Sequence, residues 1–470
     1  MTIEEKKKFD VIVLGGGPGG YPAAIKAAQS GRKVALVEAK EMGGTCLNRG
    51  CIPTKTLIAN ADIWHQIQHA EDFGITIGAA SFDFAKMTKR KDEVVTKTRK
   101  SLEGLIASNR ITVFKGYGKF ISPQEIKVIG ENSAVITAEK IIIATGSEPR
   151  NIPAFPFDYK QIHDSTSILE LTKLPKSLAI IGGGVIGCEF ASLYSILGVQ
   201  VSILEMMPTI IPTEDPEISA VLTKAFQKKG IKIQTKVTVQ KIETSKEGIK
   251  VLLADGSSVE AEMALVSVGR SLNTTDIGLD KAAVATEKGA IPVNDKMETN
   301  VPGIYAIGDI TAKWLLAHVA THQGIVAASN AVGETAHINY NAVPSIIYTE
   351  PEIGTIGLSL SQAKAKGYAA TTGSFPFQAL GKSQAINKTE GFAQIVIDKR
   401  TGQVLGAQVV GHEAGTLVAE MGVAIANELT VESITETIHA HPTIAEAWLE
   451  AAYLAADTPI HWPPKASKKG

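Results

Sequence analysis

Two stretches of this 470-residue chain share one unusual pattern and lie 167 positions apart. In each, an apolar run leads into G-x-G-x-x-G, then into an apolar helical stretch, and then into a second apolar run that ends in a glutamate. Continuous runs of this kind are typical of strands buried on both faces of a parallel sheet. We call residues 9–38 and 177–205 the first and second glycine-turn segments.

The first glycine-turn segment carries Gly15, Gly17 and Gly20, with Glu38 at its end. Glycines at this spacing allow a tight turn in which backbone N–H groups approach a pyrophosphate, and an acid about 20 residues further on accepts from ribose hydroxyls. A lone G-x-G-x-x-G also occurs as a structural turn. The full order of strand, turn, helix, strand and acid favours a dinucleotide site.

The second glycine-turn segment repeats this arrangement with Gly182, Gly184, Gly187 and Glu205. A carboxylate at the last position accepts from the free 2′-OH of NAD and repels the 2′-phosphate of NADP, which normally meets an arginine. Two methionines follow Glu205 where a phosphate site would need cations. The segment therefore predicts NAD, and a solvated acid at a strand end stays as the alternative.

Composition narrows the class of protein further. Hydrophobic residues make up 44% of the chain and the net charge is −1, which indicates neither disorder nor a nucleic-acid-binding surface. Three cysteines do not make a disulfide scaffold, so we expect a reducing compartment. The N-terminus lacks a signal-peptide apolar region, and no apolar run reaches about 18 residues. We expect a soluble, cytoplasmic protein that binds no membrane.

Cys46 and Cys51 follow the first glycine-turn segment in the stretch GGTCLNRGCIPTK, residues 43–55. Structural zinc needs about four ligands, and no Cys/His cluster accompanies the pair, so we predict no metal. Two unrelated buried thiols are a second interpretation, but Gly50 and Pro53 indicate a specific local geometry. A redox-active disulfide whose electrons pass to a flavin explains both the pair and its neighbour.

These motifs resemble those of the flavin-dependent pyridine nucleotide-disulfide oxidoreductases. The resemblance includes residues 43–55, both glycine turns, AIGD at 306–309 and HAHPTIAE at 439–446, and it extends from about residue 9 to 456. It implies an α/β fold with two Rossmann-like dinucleotide-binding domains and a C-terminal α+β dimerisation domain. The boundaries that we predict are 1–150 and 271–345 for the FAD domain, 151–270 for the NAD domain and 346–470 for the interface domain.

The resemblance also implies which residues bind the cofactors. FAD would occupy the first glycine turn, and Lys55 and Glu189 would form an ion pair beside flavin N5. Further FAD contacts would come from Gly118, Thr145, Gly146, Ser147, Asp309, Leu315, Leu316, Ala317 and His318. NAD would meet the second glycine turn together with Val185, Val237 and Gly269, where Val185 replaces a tyrosine of related glutathione reductases.

The general base must come from elsewhere, since no histidine lies near the two thiols in sequence. His441 precedes Pro442 and a helical stretch predicted over 443–456, and Glu446 is the residue expected to orient the imidazole. A histidine at a helix start is also commonly a cap or a surface residue. The resemblance implies that His441 is the base, supplied by the partner subunit of a homodimer. It also makes Cys46 the interchange thiol and Cys51 the thiol that faces the flavin.

The branch of the family that the motifs favour oxidises dihydrolipoyl groups and passes the hydride to NAD. Its implied partner is the lipoyl domain of a 2-oxoacid dehydrogenase acyltransferase or the glycine cleavage carrier protein. The alternatives are a mercuric reductase, which would need cysteines near the C-terminus, and a glutathione-type reductase, which would need cations near Glu205. A flavin NADH oxidase usually lacks the cysteine pair, and a non-enzymatic binding protein would have no reason to keep it.

Two further expectations concern single regions. The alternation in 391–397 and 403–410 predicts a hairpin of an antiparallel sheet in the C-terminal domain. Arg49, between the cysteines, either favours a thiolate, or it points to solvent or pairs with an acid elsewhere. Cys188 is expected to be a buried bystander, and the polar tail 463–470 carries no motif.

Overall fold

A computed structural model describes residues 6–463 of the chain. These residues form two compact units. The first contains residues up to Leu174 together with Ser267–Asn339, and the second contains Pro175–Val266 and the chain from Tyr340 onward.

The first unit begins with the first glycine-turn segment and the cysteine pair. Its elements up to residue 174 are β1 (Lys7–Lys8), β2 (Val11–Leu14), α1 (Gly20–Gln29), β3 (Val34–Glu38), α2 (Gly44–Arg49), α3 (Cys51–Gln68), α4 (Phe84–Ser108), β4 (Thr112–Lys115), β5 (Tyr117–Ser122), β6 (Glu125–Ile129), β7 (Ala134–Thr137), β8 (Lys140–Ile143), β9 (Ser147–Pro149) and β10 (Ile162–His163).

The second unit starts with the second glycine-turn segment. Its first part contains β11 (Ser177–Ile181), α5 (Val185–Ile196), β12 (Gln200–Leu204), α6 (Pro216–Lys228), β13 (Lys232–Gln234), β14 (Val239–Thr244), β15 (Ile249–Leu253), β16 (Ser258–Ala261) and β17 (Met263–Val266).

The chain then returns to the first unit and afterwards completes the second. The returning part contains β18 (Arg270–Leu272), β19 (Ile304–Ala306) and α7 (Ala317–Ala331). The C-terminal part contains β20 (Pro344–Ile347), β21 (Ile353–Gly357), α8 (Leu360–Ala365), β22 (Ala370–Pro376), α9 (Gly381–Ala385), β23 (Phe392–Asp398), β24 (Val404–Val410), α10 (Ala414–Ala426), α11 (Val431–Thr435) and α12 (Glu446–Ala455).

Each glycine-turn segment builds the centre of a parallel sheet. In the first unit the strand order is β19-β8-β2-β3-β4, and in the second unit β17, β11, β12 and β13 are neighbours in that order. Val11 and Val13 pack on one face of β2, while Ile12 and Leu14 pack on the other. Burial on both faces is the physical reason for the continuous apolar runs, so the predicted α/β class is confirmed.

The C-terminal part of the second unit is an antiparallel sheet of order β20-β21-β24-β23-β22. The predicted hairpin is β23 and β24, which pair antiparallel with Ile395 opposite Ala407. Helices α10 and α12 pack around it, with Trp448 fully buried and its indole N–H donating to the carbonyl of Leu417 at 3.0 Å. This sheet and these helices form the α+β domain that the sequence predicts.

A membrane-crossing helix would need both length and sustained apolarity. Within residues 6–463 no helix has that combination.

Candidate active site

Two glycines of the first turn are required by the packing of the protein itself. Gly15 has φ +105°, and a Cβ on it would lie 2.2 Å from the carbonyl oxygen of Ala144. A Cβ on Gly20 would lie 1.8 Å from the carbonyl oxygen of Gly15. Both contacts are far below van der Waals distance, so the turn between β2 and α1 forms only with glycine at these positions.

Gly17 is a glycine for a different reason. The nearest atom to a Cβ at this position would be Gly44 Cα at 3.9 Å, so packing tolerates a larger residue there. The open space lies beside the start of α1, where a phosphate can approach backbone N–H groups. The carboxylate of Glu38 accepts from the N–H groups of Gly16 at 2.6 Å and Lys40 at 2.7 Å. The cradle therefore fits the diphosphate and ribose of FAD.

The second turn has the same construction in the second unit. Gly182 has φ +102°, and a Cβ on Gly184 would meet no atom within 4 Å. Glu205 accepts from the N–H groups of Gly183 at 2.6 Å and Met207 at 2.7 Å. An open glycine turn beside a fixed carboxylate fits NAD.

The remaining residues predicted at the second turn surround it. Val185 is the first residue of α5 and Gly187 is buried within that helix. The N–H of Val237 donates to the carbonyl of Glu205 at 3.0 Å. Met206, the residue after Glu205, is 70% exposed, so an exposed thioether stands beside Glu205 where an NADP site would have a cation.

Ser147 and Asp309 lie together in the first unit. The hydroxyl of Ser147 donates to the carboxylate of Asp309. The guanidinium of Arg270 donates to the Ser147 hydroxyl and carbonyl, each at 2.6 Å, and its Nε lies 3.7 Å from Asp309. The sequence reasoning assigned Ser147 and Asp309 but missed Arg270.

Thr145 and Gly146 are fixed by one asparagine that the sequence reasoning also missed. Asn273 donates through its amide to the Thr145 carbonyl at 2.9 Å and through its N–H to the Gly146 carbonyl at 2.9 Å. The Thr145 hydroxyl donates to the Asn273 carbonyl at 2.8 Å. Gly146 has φ +70°, which favours glycine at this turn.

The other predicted cofactor residues lie at element ends. Gly118 is in β5, where a Cβ would lie 2.7 Å from Leu14 Cδ2, so it lets β5 lie close to β2. Leu315, Leu316, Ala317 and His318 lead into and begin α7. Gly269 has φ +115° and accepts from the N–H of Arg150 at 3.1 Å.

Cys46 and Cys51 are both half-buried, placed in α2 and at the first position of α3. Cys46 shares a hydrogen bond with Cys51, and this bond, together with burial, raises the pKa of the Cys46 thiol, while the Lys55 ammonium opposes the shift. The N–H of Gly43 donates to the carbonyl of Gly16 at 2.9 Å. The cysteine stretch therefore begins in direct contact with the first glycine turn.

Asn48, between the two cysteines, is a residue whose role the sequence reasoning missed. Its amide donates to the carbonyls of Met42 and Gly44, each at 3.0 Å, and accepts from Arg99 of α4 at 3.1 Å. The amide thus ties α2, the helix that carries Cys46, to Met42 before it and to α4. Its partner Arg99 lies 51 residues away, which leaves no local sequence signal.

Arg49 pairs with an acid rather than with a thiol. Its Nη1 lies 2.6 Å from Glu41 Oε2, and its side chain is 19% exposed. The carboxylate of Glu41 therefore partly compensates the positive charge of Arg49 and weakens its electrostatic effect on the cysteines. Of the two expectations for Arg49, the pairing with an acid is the one that this geometry favours.

Lys55 and Tyr21 both interact electrostatically with Cys46. Lys55 is one turn beyond Cys51 in α3, on the same face of that helix. Burial raises the pKa of Tyr21, and the charge of the Cys46 thiolate adds to the shift, so the phenol lies close to that sulfur. Glu189, in the second unit, is buried and accepts from the N–H of Tyr348 at 3.1 Å. The ion pair between Lys55 and Glu189 stays a prediction.

His441 and Glu446 form an imidazole–carboxylate pair in the second unit. His441 Nδ1 lies 2.8 Å from Glu446 Oε1, and Glu446 Oε2 accepts from the N–H of Thr443 at 2.8 Å. A carboxylate accepts only, so Nδ1 is the donor, and in the neutral imidazole the lone pair is then on Nε2. The side chain of His441 is 75% exposed, which leaves Nε2 accessible.

The predicted helix over 443–456 is wrong at its start. Pro442 suggested a first helical turn, but α12 begins at Glu446, and the peptide bond before Pro442 is cis. The Thr443 hydroxyl donates to the Ala440 carbonyl at 2.8 Å and its N–H donates to Glu446. These bonds use Thr443 in a turn instead of in the helix.

No group of three or more His, Cys, Asp or Glu side chains in residues 6–463 is arranged to hold a metal ion. Cys188 is buried in α5, and burial raises the pKa of its thiol.

Two open glycine turns, one of them in contact with a dithiol, define oxidoreductases that pass an electron pair between a dithiol and dinucleotides. The chain belongs to the pyridine nucleotide-disulphide oxidoreductase family, which it matches over residues 9–324, and its residues 343–452 match the dimerisation domain of that family. Its cofactors are FAD and NAD.

Named relatives match nearly the whole chain. The dihydrolipoyl dehydrogenase of Chlamydia pneumoniae is 51% identical over 98% of this chain and 100% of its own length. The mitochondrial dihydrolipoyl dehydrogenase of Pisum sativum is 40% identical over 96% of this chain and 92% of its own length. Among solved structures, LpdA from Mycobacterium tuberculosis is 28% identical, covers 95% of this chain and 99% of its own, and superposes with a TM-score of 0.89.

Proposed function

We propose that the chain oxidises dihydrolipoyl groups to lipoyl groups and passes the hydride to NAD. The observation that carries the proposal is the hydrogen-bonded pair Cys46–Cys51 directly beyond the first glycine turn. A dithiol held in that position exchanges with a substrate dithiol on one side and delivers electrons to a dinucleotide on the other. The names of the relatives supply the substrate class.

The thiol exchange uses the oxidised form of the cysteine pair. A substrate thiolate attacks Cys46 Sγ, the bond between Cys46 and Cys51 breaks, and Cys51 leaves as a thiolate. The second substrate thiol then attacks the substrate sulfur of the mixed disulfide and releases Cys46. The substrate is oxidised to its cyclic disulfide, and the cysteine pair gains two electrons.

His441 removes the proton from the first substrate thiol, releases it to solvent, and then removes the proton from the second. Its Nδ1 is held by Glu446, so Nε2 is the atom that accepts a proton, and the Glu446 carboxylate stabilises the imidazolium that results. FAD, when bound, supplies the route for the electron pair from the cysteines to NAD. Glu38 and Glu205 hold the ribose ends of FAD and NAD, and the glycine turns bind their diphosphates.

We also propose a homodimer in which His441 acts on the cysteines of the partner subunit. The matched dimerisation domain and the exposure of His441 support this arrangement. The substrate would arrive on the lipoyl domain of a 2-oxoacid dehydrogenase acyltransferase or on the glycine cleavage carrier protein. The low cysteine content and the absence of a bilayer-length helix in residues 6–463 support a cytoplasmic location.

The test is a comparison of substrates with one purified protein. We expect a yellow protein that reduces NAD with dihydrolipoamide and shows at most slight activity with NADP. Parallel assays contain glutathione disulfide with NADPH and mercuric ion with NADPH. Turnover only in one of those two assays would replace the proposal with a glutathione-type or a mercuric reductase.

A further inference from the structure

Helix α12 carries two imidazole–carboxylate pairs, one helical turn apart. Glu446 and Glu450 are four residues apart, so their side chains lie on the same face of the helix. Glu446 Oε1 is 2.8 Å from His441 Nδ1, and Glu450 Oε1 is 2.7 Å from His461 Nδ1. The proposed catalytic pair therefore has a second pair of the same chemistry beside it.

His461 belongs to the segment that follows α12, and this segment folds back onto the domain. The N–H of Thr458 donates to the Tyr453 carbonyl at 2.9 Å. Beyond His461, the ring of Trp462 meets the buried ring of Phe375 edge to face, with centroids 5.8 Å apart. The segment is thus held at three successive points.

Glu450 is a buried carboxylate, and the side chain that pairs with it, His461, is exposed. Its side chain is 7% exposed, whereas that of His461 is 73% exposed. Among the described residues, His461 is the hydrogen-bond partner of Glu450. A buried carboxylate without a partner is costly, so the imidazolium of His461 offsets the desolvation of Glu450.

The two pairs interact electrostatically. The pKa of His461 is raised, first by its hydrogen bond to Glu450, then by the charge of Glu450 and by the charge of Glu446. Since Glu446 acts on His461, the charge of His461 acts in turn on Glu446, the carboxylate that holds the His441 imidazole. A change of charge in the His461–Glu450 pair therefore changes the electrostatic potential at the His441–Glu446 pair.

Other charged groups around this face are already paired or point elsewhere. His439 lies 3.0 Å from Glu420 of α10, and Glu446 also raises the pKa of His439. On α11 the carboxylate of Glu432 lies against Gly402. Strand β22 has no charged residue, and the one on β23, Asp398, pairs with Arg400.

We propose that His461 is a positioning residue for the thiol chemistry, because it neutralises Glu450 and so keeps a second negative charge away from the His441–Glu446 pair. The proposal rests on the proposed function, in which His441 is the base. Without His461, a second negative charge would lie one turn from the His441–Glu446 pair and would favour the protonated form of His441. A larger fraction of the base would then be protonated, and inactive, at a given pH.

The test compares three variants of the FAD-loaded full-length protein. In His461→Ala we expect the acid limb of the pH profile for dihydrolipoamide oxidation to move up, on the order of half a pH unit or more. In the double variant Glu450→Gln/His461→Ala both charges are absent, so the limb returns to its wild-type position. Trp462→Leu is the matched control, since it loosens the same segment but keeps the His461–Glu450 pair, and its limb stays in place.

A second readout does not depend on the substrate. The protonation midpoint of His441 is followed by NMR in protein with ¹³C-labelled histidine, and the signal is assigned with His441→Gln. We expect the same upward movement in His461→Ala and its reversal in the double variant. Absence of turnover with dihydrolipoamide would count against the proposed function, while this titration still decides the role of His461.

Two results would overturn the inference. An unmoved His441 titration in His461→Ala would mean that Glu450 takes up a proton instead of projecting its charge. An equal movement in Trp462→Leu would mean that docking of the segment matters rather than its charge.

Discussion

Glu38 and Glu205 lie 167 positions apart and make the same pair of hydrogen bonds. Each carboxylate accepts from the glycine N–H 22 residues before it and from the N–H two residues after it. The two glycine-turn segments thus share the placement of the acid as well as the order of their elements. FAD and NAD share the adenosine diphosphate half that such a turn and acid would bind, so one arrangement suits both ligands.

Replacing Glu205 with glutamine should weaken the preference for NAD over NADP. The variant loses the charge that repels a 2′-phosphate, and we expect the preference to fall by roughly 30-fold, about 2 kcal/mol. The measurement is kcat/KM with both nucleotides. Glu38→Gln is the matched control, which should weaken FAD binding and leave the nucleotide preference unchanged. A wild-type protein that uses both nucleotides equally would contradict the prediction.

Alanine at Gly20 should lower the stability of the protein, whereas alanine at Gly17 should weaken FAD binding. Gly20→Ala places a methyl group 1.8 Å from the Gly15 carbonyl, so we expect several kcal/mol lower free energy of unfolding, although alanine ordinarily favours a helix. Gly17→Ala has room within the protein and should fold normally but bind FAD poorly. Urea unfolding and the bound flavin absorbance separate the two. Normal FAD binding by Gly17→Ala would rule out a phosphate at this position.

Serine at the two cysteine positions should separate their roles. In Cys51→Ser the protein with oxidised FAD should lack the long-wavelength absorbance of a thiolate beside flavin, while FAD stays bound, because the glycine turn is unchanged. Cys46→Ser should retain that band and lose dihydrolipoamide turnover. The measurement is the spectrum of each variant with its flavin oxidised, and the reverse pattern would exchange the assignments of the two thiols.

Asn48→Ala should destabilise α2, the helix that carries Cys46. The change leaves the Met42 and Gly44 carbonyls and Arg99 without the partner they have now, so we expect the free energy of unfolding to fall by about 1–3 kcal/mol. Arg99→Met removes one of these bonds and should cost less. Urea unfolding of the reduced protein measures both. A loss for Asn48→Ala no larger than for Arg99→Met would show that the amide's bonds to Met42 and Gly44 do not stabilise α2.

The pair of His439 and Glu420 should make stability depend on pH. The hydrogen bond to Glu420 raises the pKa of His439, so the stabilisation is fully present below the ordinary value of about 6.5 and is lost as pH rises through the folded-state value. Because Glu420 is 38% exposed, we expect only about 1 kcal/mol. Glu420→Gln should therefore lower the free energy of unfolding at pH 6 and have no effect at pH 9. An equal loss at both values would indicate packing instead of charge.

Local patterns predicted much of this protein, and long-range hydrogen bonds explain the residues that they missed. Strands β2, β3 and β11 follow from apolar runs beside glycines, whose meaning is local. Arg270 reaches Ser147 across 123 residues, and nothing near either residue indicates that bond. The start of α12 was misplaced because proline favours a first helical turn, whereas the Thr443 N–H is used by the Glu446 side chain.

The bond from the Gly43 N–H to the Gly16 carbonyl has a consequence for exchanging parts between relatives. It joins the cysteine stretch, residues 43–55, to the first glycine turn. The position of each therefore depends on the position of the other. A chimera that takes residues 43–55 from one homologue and the turn at 15–20 from another would take the two partners of this hydrogen bond from different proteins. Grafts that begin before Val11 and end after Lys55 carry the cysteine stretch and the turn together, and these are the exchanges that should preserve redox activity.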